Sequence, residues 1–144
     1  MATYRTTVKS PKTVEEAFDY LADFGNATEW DENTLSSDCL GDDPYRAGAR
    51  YRVVTEFGGR TLTLTYETIE FQRPDRVVFR SDAGISTIQD TITFTEDGSG
   101  SKIEYEADIA LKGPARLLDP VFGLIFKRVG DRAAAGLREA LGAK

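Results

Sequence analysis

The spacing of hydrophobic positions changes period twice along this chain. Tyr4 to Val8 alternates weakly and is rich in Thr, Val and Tyr, which predicts a first strand. The period then lengthens: Val14, Ala17, Phe18 and Leu21 recur at i, i+3, i+4 and i+7, behind a Thr13/Glu16 pair spaced as a capping box. This predicts a short amphipathic helix ending near Phe24-Gly25, followed by a second short helix from Asn26 to Trp30. From Leu35 the period drops to two. Leu35 to Leu40 reads as a short strand, with turn chemistry at Gly41-Asp42-Asp43-Pro44. Residues 50–57 set Tyr51, Val53, Thr55 and Phe57 against Arg50, Arg52, Val54 and Glu56, and Gly58-Gly59 then predicts a tight hairpin. Leu62, Leu64 and Tyr66 share one face, but Ile69 and Phe71 take the opposite parity, so a bulge is expected near Glu67-Thr68.

After Arg73-Pro74-Asp75 the chain offers Val77 to Arg80, then two longer alternating runs over 86–95 and 102–111, separated by Asp97-Gly98-Ser99-Gly100. The facing of residues 67–80 stays open at this level. The second run sets Ile103, Tyr105, Ala107, Ile109 and Leu111 against Glu104, Glu106 and Asp108, an acidic stripe that reads as a solvated outer face. From Leu118 the period returns to 3.6: Leu118, Phe122, Ile125, Val129, Ala133, Leu137 and Leu141 form one stripe, started by Asp119-Pro120. Such a helix spans roughly 33 Å. Its first half is apolar nearly all round, with Leu117 and Leu124 pointing away from Phe122 and Ile125. The plainer reading is core; the sharper one is a flank that lines or gates a cavity, or a dimer or membrane contact. Gly123 and Gly130, seven apart, suit close approach to the sheet or room for a ligand.

The order is strand, two short helices, six strands and one long helix. An antiparallel meander with one dry face has only the terminal helix as a large apolar partner. A strongly twisted sheet curling round one helix leaves a concave space lined by Phe, Tyr, Ile, Leu and Val, where small ligands go. The expected wall comprises Trp30, Tyr51, Val53, Leu64, Tyr66 and Phe79. Ile88, Asp90, Ile92 and Tyr105 continue it from the later strands, and Leu118, Phe122, Ile125 and Val129 from the helix. Trp30 is also read as a cap on one end of the core.

Composition narrows the chemistry. At 144 residues one domain is expected. The net charge is −6 without Lys/Arg clusters, so nucleic acid is an unsuited partner. A single cysteine, Cys39, allows no intrachain disulfide and fits a reducing compartment. The first residues carry no apolar signal segment, and no apolar block is long enough to span a bilayer. Asn26-Ala27-Thr28 matches a glycosylation sequon and is read as chance. The expectation is a soluble cytoplasmic protein without stable membrane insertion. With no histidine there is no Ser/His/Asp or Cys/His pair and no zinc or copper site, and neither a P-loop nor a G-x-G-x-x-G is present. No cofactor or metal is expected, and Asp42-Asp43 reads as turn chemistry. Asp90 is the most informative polar residue, because its parity places it among Ile88, Ile92 and Phe94 on the dry face. Desolvation there would raise its pKa and suit acid/base work or a ligand hydrogen bond; the plainer reading is a rim position or a pair with Arg132.

The order of elements and the opening Thr13-to-Asp31 stretch, with Ser10-Pro11, Val14, Ala17, Phe18, Asp23 and Trp30, resemble the START-like or helix-grip superfamily. Gly48, the Pro74 turn and the Asp-Gly-Ser-Gly turn extend the resemblance over nearly the whole chain. Members include birch-pollen-allergen-like proteins and bacterial polyketide cyclase/dehydrase and lipid-transport proteins. The resemblance implies an α+β helix-grip fold, a curved seven-stranded antiparallel sheet around a long C-terminal helix, forming a single ligand-binding domain over residues 1–144. It implies a hydrophobic ligand in the space between them. Three functions stay open: a carrier of a small lipid-like or aromatic molecule, which is preferred; a polyketide cyclase or aromatase using Asp90, Tyr66 and Tyr105; and a protein-interaction domain, with a homodimer as one form of it.

Overall fold

Strand β1, Ala2–Ser10, leads into helix α1, Val14–Ala22, in the computed structural model described here. The structure describes residues 2–143, the side chains of Leu118 and Asp119 excepted, so the helix-start role read for Asp119 and the wall position read for Leu118 lie outside the described residues. The capping box forms: the Thr13 hydroxyl accepts from the Glu16 amide at 3.2 Å, and the Glu16 carboxylate accepts from the Thr13 amide at 3.1 Å. Thr13→Ala should cost about 1 kcal/mol of stability, read as a lower urea midpoint at unchanged slope.

A 3-10 turn, Phe24–Asn26, and the one-turn helix α2, Ala27–Trp30, complete the connection to β2, Thr34–Cys39. The remaining strands are β3, Arg50–Phe57; β4, Arg60–Gln72; β5, Arg76–Asp82; β6, Ser86–Asp97; and β7, Gly100–Leu111. A 3-10 turn, Gly113–Leu118, precedes α3, Asp119–Ala140. All seven strands form one antiparallel sheet in the order β1-β7-β6-β5-β4-β3-β2. The sheet curls, and α3 lies along its concave face, packed chiefly on β1 and α2. This is the curled sheet around a terminal helix expected from the pattern, and the helix-grip arrangement that the resemblance implies. Among the described residues no helix is long and apolar enough to cross a membrane.

Gly58 and Gly59 turn the β3–β4 hairpin with φ of 61° and 81°, a left-handed pair that residues with a Cβ adopt poorly. The β4–β5 register shifts between Thr68 and Glu70, so the extra residue is Ile69, just past the expected Glu67-Thr68. Ile69 is exposed there, and Phe71 turns inward onto Phe18 with ring centroids 5.2 Å apart. Phe18 also meets Phe94 edge-on at 5.1 Å. One end of the concavity is therefore solid: α1 seals it with Phe18 and Leu21 over Val77, Ile92 and Phe94, all buried.

The other end is covered chiefly by α3. Its second half is gripped hard, with Ala134, Leu137 and, just past its end, Leu141 buried. Gly130 lies against the Tyr4 ring, the close approach its position suggested, whereas Gly123 faces open space. A third glycine, Gly136, sits against the Trp30 backbone carbonyl. In the first half, Phe122 and Ile125 turn inward while Val121 and Leu124 are 58% and 60% exposed and Leu117, in the turn before, is 86% exposed. The all-round apolar sequence is thus divided between an inner and an outer flank. The acidic stripe of β7 faces outward and is partly neutralised, with Glu106 accepting from Arg5 at 2.8 Å.

Candidate functional site

Where α1 does not reach, the sheet and α3 enclose a cavity of about 720 Å³. Strand alternation supplies its floor: Val53 from β3, Leu64 and Tyr66 from β4, Ile88 and Asp90 from β6, and Tyr105 and Ile109 from β7. Phe122, Ile125, Phe126 and Val129 of α3 form the roof. The exposed hairpin residues Gly58, Arg60 and Leu62 and the exposed loop residues Ala83 and Ile85 edge the mouth. Phe57 packs on Phe122 with ring centroids 5.4 Å apart, which ties the hairpin to the helix on one side of that mouth.

The inner end is aromatic and acidic. Tyr105 donates its hydroxyl to Asp90 Oδ2 at 2.8 Å, and Trp30 meets the Tyr105 ring edge-on at 5.6 Å. Asp90 is only 6% exposed, and burial pushes its carboxyl up to about 7, the Tyr105 hydrogen bond acting in the opposite direction. Burial likewise drives the Tyr66 and Tyr105 hydroxyls well above the ordinary tyrosine range, and the neighbouring Asp90 carboxylate adds to both shifts. The Tyr66 side chain is 7% exposed, faces the cavity, and has no hydrogen-bond partner among the described residues. A second carboxyl, Asp31, reaches the same wall from the turn after α2. It is raised by burial, but its two oxygens accept from the Asn33 amide, the Asn33 side chain and the Thr34 hydroxyl at 2.9–3.0 Å. Asn33 in turn donates to the Val129 carbonyl at 3.0 Å, linking this turn to α3. Asp31 is therefore held by its neighbours, while Asp90 keeps one oxygen free of donors among the described residues.

Of the residues expected on the wall, Trp30, Val53, Leu64, Tyr66, Ile88, Asp90, Tyr105, Phe122, Ile125 and Val129 line the cavity. Three expected there do not. Tyr51 and Phe79 lie behind Phe24, whose ring stands 5.9 Å and 4.5 Å from theirs and takes the place a ligand would need to reach them. The Tyr51 hydroxyl instead donates to the Pro44 carbonyl at 3.3 Å. Ile92, on the far side of Asp90 from Ile88, falls under α1 in the solid end. Arg132 is exposed, and the pair considered for it with Asp90 is not formed; the partner is Tyr105. Phe24 and Asp31 were not anticipated on the wall. Both sit in an irregular turn, where periodicity carries no signal; the aromatic beside Gly25 and the acid beside Trp30 were the only hints.

Solved structures of the same architecture cover nearly the whole chain. A START superfamily protein from Mycobacterium smegmatis superposes with a TM-score of 0.80 at 12% identity, covering 99% of this chain and 98% of that one. The protein TTHA0849 from Thermus thermophilus gives 0.79 at 19% identity and 96% of each chain. The Zhui aromatase/cyclase from a Streptomyces species gives 0.77 at 13% identity, covering 97% and 93%. Likenesses this remote in sequence establish the fold and leave activity open. No curated protein sequence matches the chain significantly. The family profile described as polyketide cyclase/dehydrase and lipid transport matches residues 1–142, and the chain belongs to that family.

Proposed function

We propose that this protein binds and carries a small, largely apolar molecule in the cavity between the sheet and α3, in the cytoplasm. The cavity itself carries the reading. About 720 Å³ of space bordered mainly by apolar side chains falls within the range of small-molecule sites. Leaving it empty forfeits dispersion contacts along every wall, which an occupant restores. The free thiol Cys39 suits a reducing compartment. The sole tryptophan, Trp30, is on the wall and serves as an internal reporter. Titration with the neutral fluorophore N-phenylnaphthylamine should quench Trp30 emission by energy transfer, saturating at one equivalent. Saturation at about a hundred times Kd should raise the melting temperature by roughly 5–10 °C. Neither energy transfer nor a melting shift would sink the carrier.

A second reading, a polyketide cyclase or aromatase, is favoured by one observation, the Asp90–Tyr105 contact inside the cavity. A carboxyl near 7 exchanges protons readily around neutral pH. Asp90, held by the Tyr105 hydroxyl, would take a proton from the carbon between two carbonyls of a poly-β-keto chain, with the Tyr66 hydroxyl donating to a keto oxygen. Under that reading Asp90→Asn abolishes cyclisation and leaves affinity for the chain in place.

A further inference from the structure

We propose that the inner end of the cavity receives the ammonium group of an apolar amine, so that the preferred ligand is a hydrophobic cation inserted head-first. This rests on the carrier reading and assigns the chemical class of what is carried. Among the described residues the inner end presents the Asp90 carboxyl, the Tyr66 hydroxyl and the unpartnered indole N–H of Trp30 amid aromatic rings, and no basic side chain lines it. Asp90 offers Oδ1, to which no group donates among the described residues, while Oδ2 is occupied by Tyr105. Tyr66, more than nine-tenths buried, faces the same space with its hydroxyl unpartnered among the described residues. Phe24, Trp30, Tyr66 and Tyr105 surround this point, and the Phe24 ring centroid lies 5.0 Å from that of Tyr66. Aromatic rings beside a desolvated acid favour a cation, because ring faces and carboxylate oxygens both carry negative charge.

The charge of the wall weighs against the opposite orientation, since the inner end offers an anion only neutral donors, the Trp30 N–H and the Tyr66 hydroxyl. Among the described residues the only basic side chain on the wall is Arg60, exposed on the hairpin at the mouth. A carboxylate ligand would leave its head there and push an apolar tail against Asp90 and Tyr66, stranding two buried polar groups. An alcohol would satisfy one acceptor. An ammonium group offers several donors and neutralises the charge that Asp90 carries once ionised.

The groups that face Asp90 set the pH response. Tyr105 comes from β7, Tyr66 from β4 and Asp31 from the turn after α2, with Asp108 acting from β7. The α3 residues on the wall, Phe122 to Leu137, are all apolar or glycine, and the β5 partner of Asp90 is Phe79. None of these groups is a cation, so an incoming ammonium meets no competitor for Asp90.

Calorimetric titration of the whole protein with naphthylethylamine, naphthylethanol and naphthylacetate holds the apolar part constant while the head changes. At about pH 8 the amine should bind at least about tenfold tighter than the alcohol, and the acetate weaker than both. The amine-to-alcohol ratio should shrink as the pH falls to about 6 and Asp90 takes up its proton. Asp90→Asn should bring the two affinities within roughly threefold of each other and flatten that pH dependence. Tyr66→Phe, which keeps the ring, should weaken the amine in a protein whose fold is undisturbed, so the test survives if the Asp90 variant fails to fold. Equal affinity for amine and alcohol, or tightest binding of the acetate, overturns the amine assignment and leaves the carrier standing. If none of the three binds and N-phenylnaphthylamine also fails, the carrier reading falls with it.

Discussion

Gly136→Ala should destabilise the protein by about 2–3 kcal/mol, while Gly123→Ala in the same helix should stabilise it by up to about 1 kcal/mol. Alanine normally improves a helix interior, because glycine loses more backbone entropy on folding. Gly123 should behave that way, since nothing lies near the position a Cβ would take. At Gly136 the Cβ would run into the carbonyl of Trp30. A side chain can rotate aside, but a backbone carbonyl moves only with its helix. The clash therefore pushes α3 away from α2 and carries Trp30, part of the cavity wall, with it. Urea unfolding of the two variants should show midpoints displaced in opposite directions. A stabilised Gly136→Ala would mean that α3 does not sit against α2 as described.

Asp90→Asn should stabilise the protein by a few kcal/mol at about pH 8 and change little near pH 4. Burial holds the Asp90 carboxyl at about 7, against an ordinary value of 3.8. Below the ordinary value both folded and unfolded chains hold the proton, and nothing is lost. Between the two values the folded chain keeps a proton that the unfolded chain releases, so stability falls as pH rises. Above about 7 the folded chain carries a buried carboxylate, and the full cost, at most about 4 kcal/mol, is present. Asparagine keeps the shape and can still accept from Tyr105, but it never ionises. Asp31 is also raised, so the wild-type slope contains both acids; the difference between variant and wild type reports Asp90 together with its repulsion by Asp31. Equal stabilisation at both pH values would show that the carboxyl is not desolvated.

The element order, the alternation of β3, β6 and β7, the Gly58-Gly59 hairpin and the α1 capping box were all legible from residue spacing. So was the inward parity of Asp90, Tyr66 and Tyr105, because period two allows a side chain only two faces. The limits are equally physical. Parity placed Tyr51 and Ile92 on the same face as the cavity floor, and Phe79 was expected on the wall although its facing stayed open, but parity says nothing about what stands in front of a residue. Phe24 shields Tyr51 and Phe79, and α1 covers Ile92. Gly123 and Gly136 are both interior helix glycines in the sequence, and only the neighbour each meets tells them apart.

The linear pattern therefore determined which residues form each strand and helix and which side chains turn away from water, because backbone periodicity is a local property. Only the tertiary structure decided that α1 fills one end of the concavity while α3 leaves the other open, and that Asp90 answers to Tyr105 rather than Arg132. Those outcomes depend on groups far apart in the chain arriving at one place, and on the volume left between them, which no local period encodes.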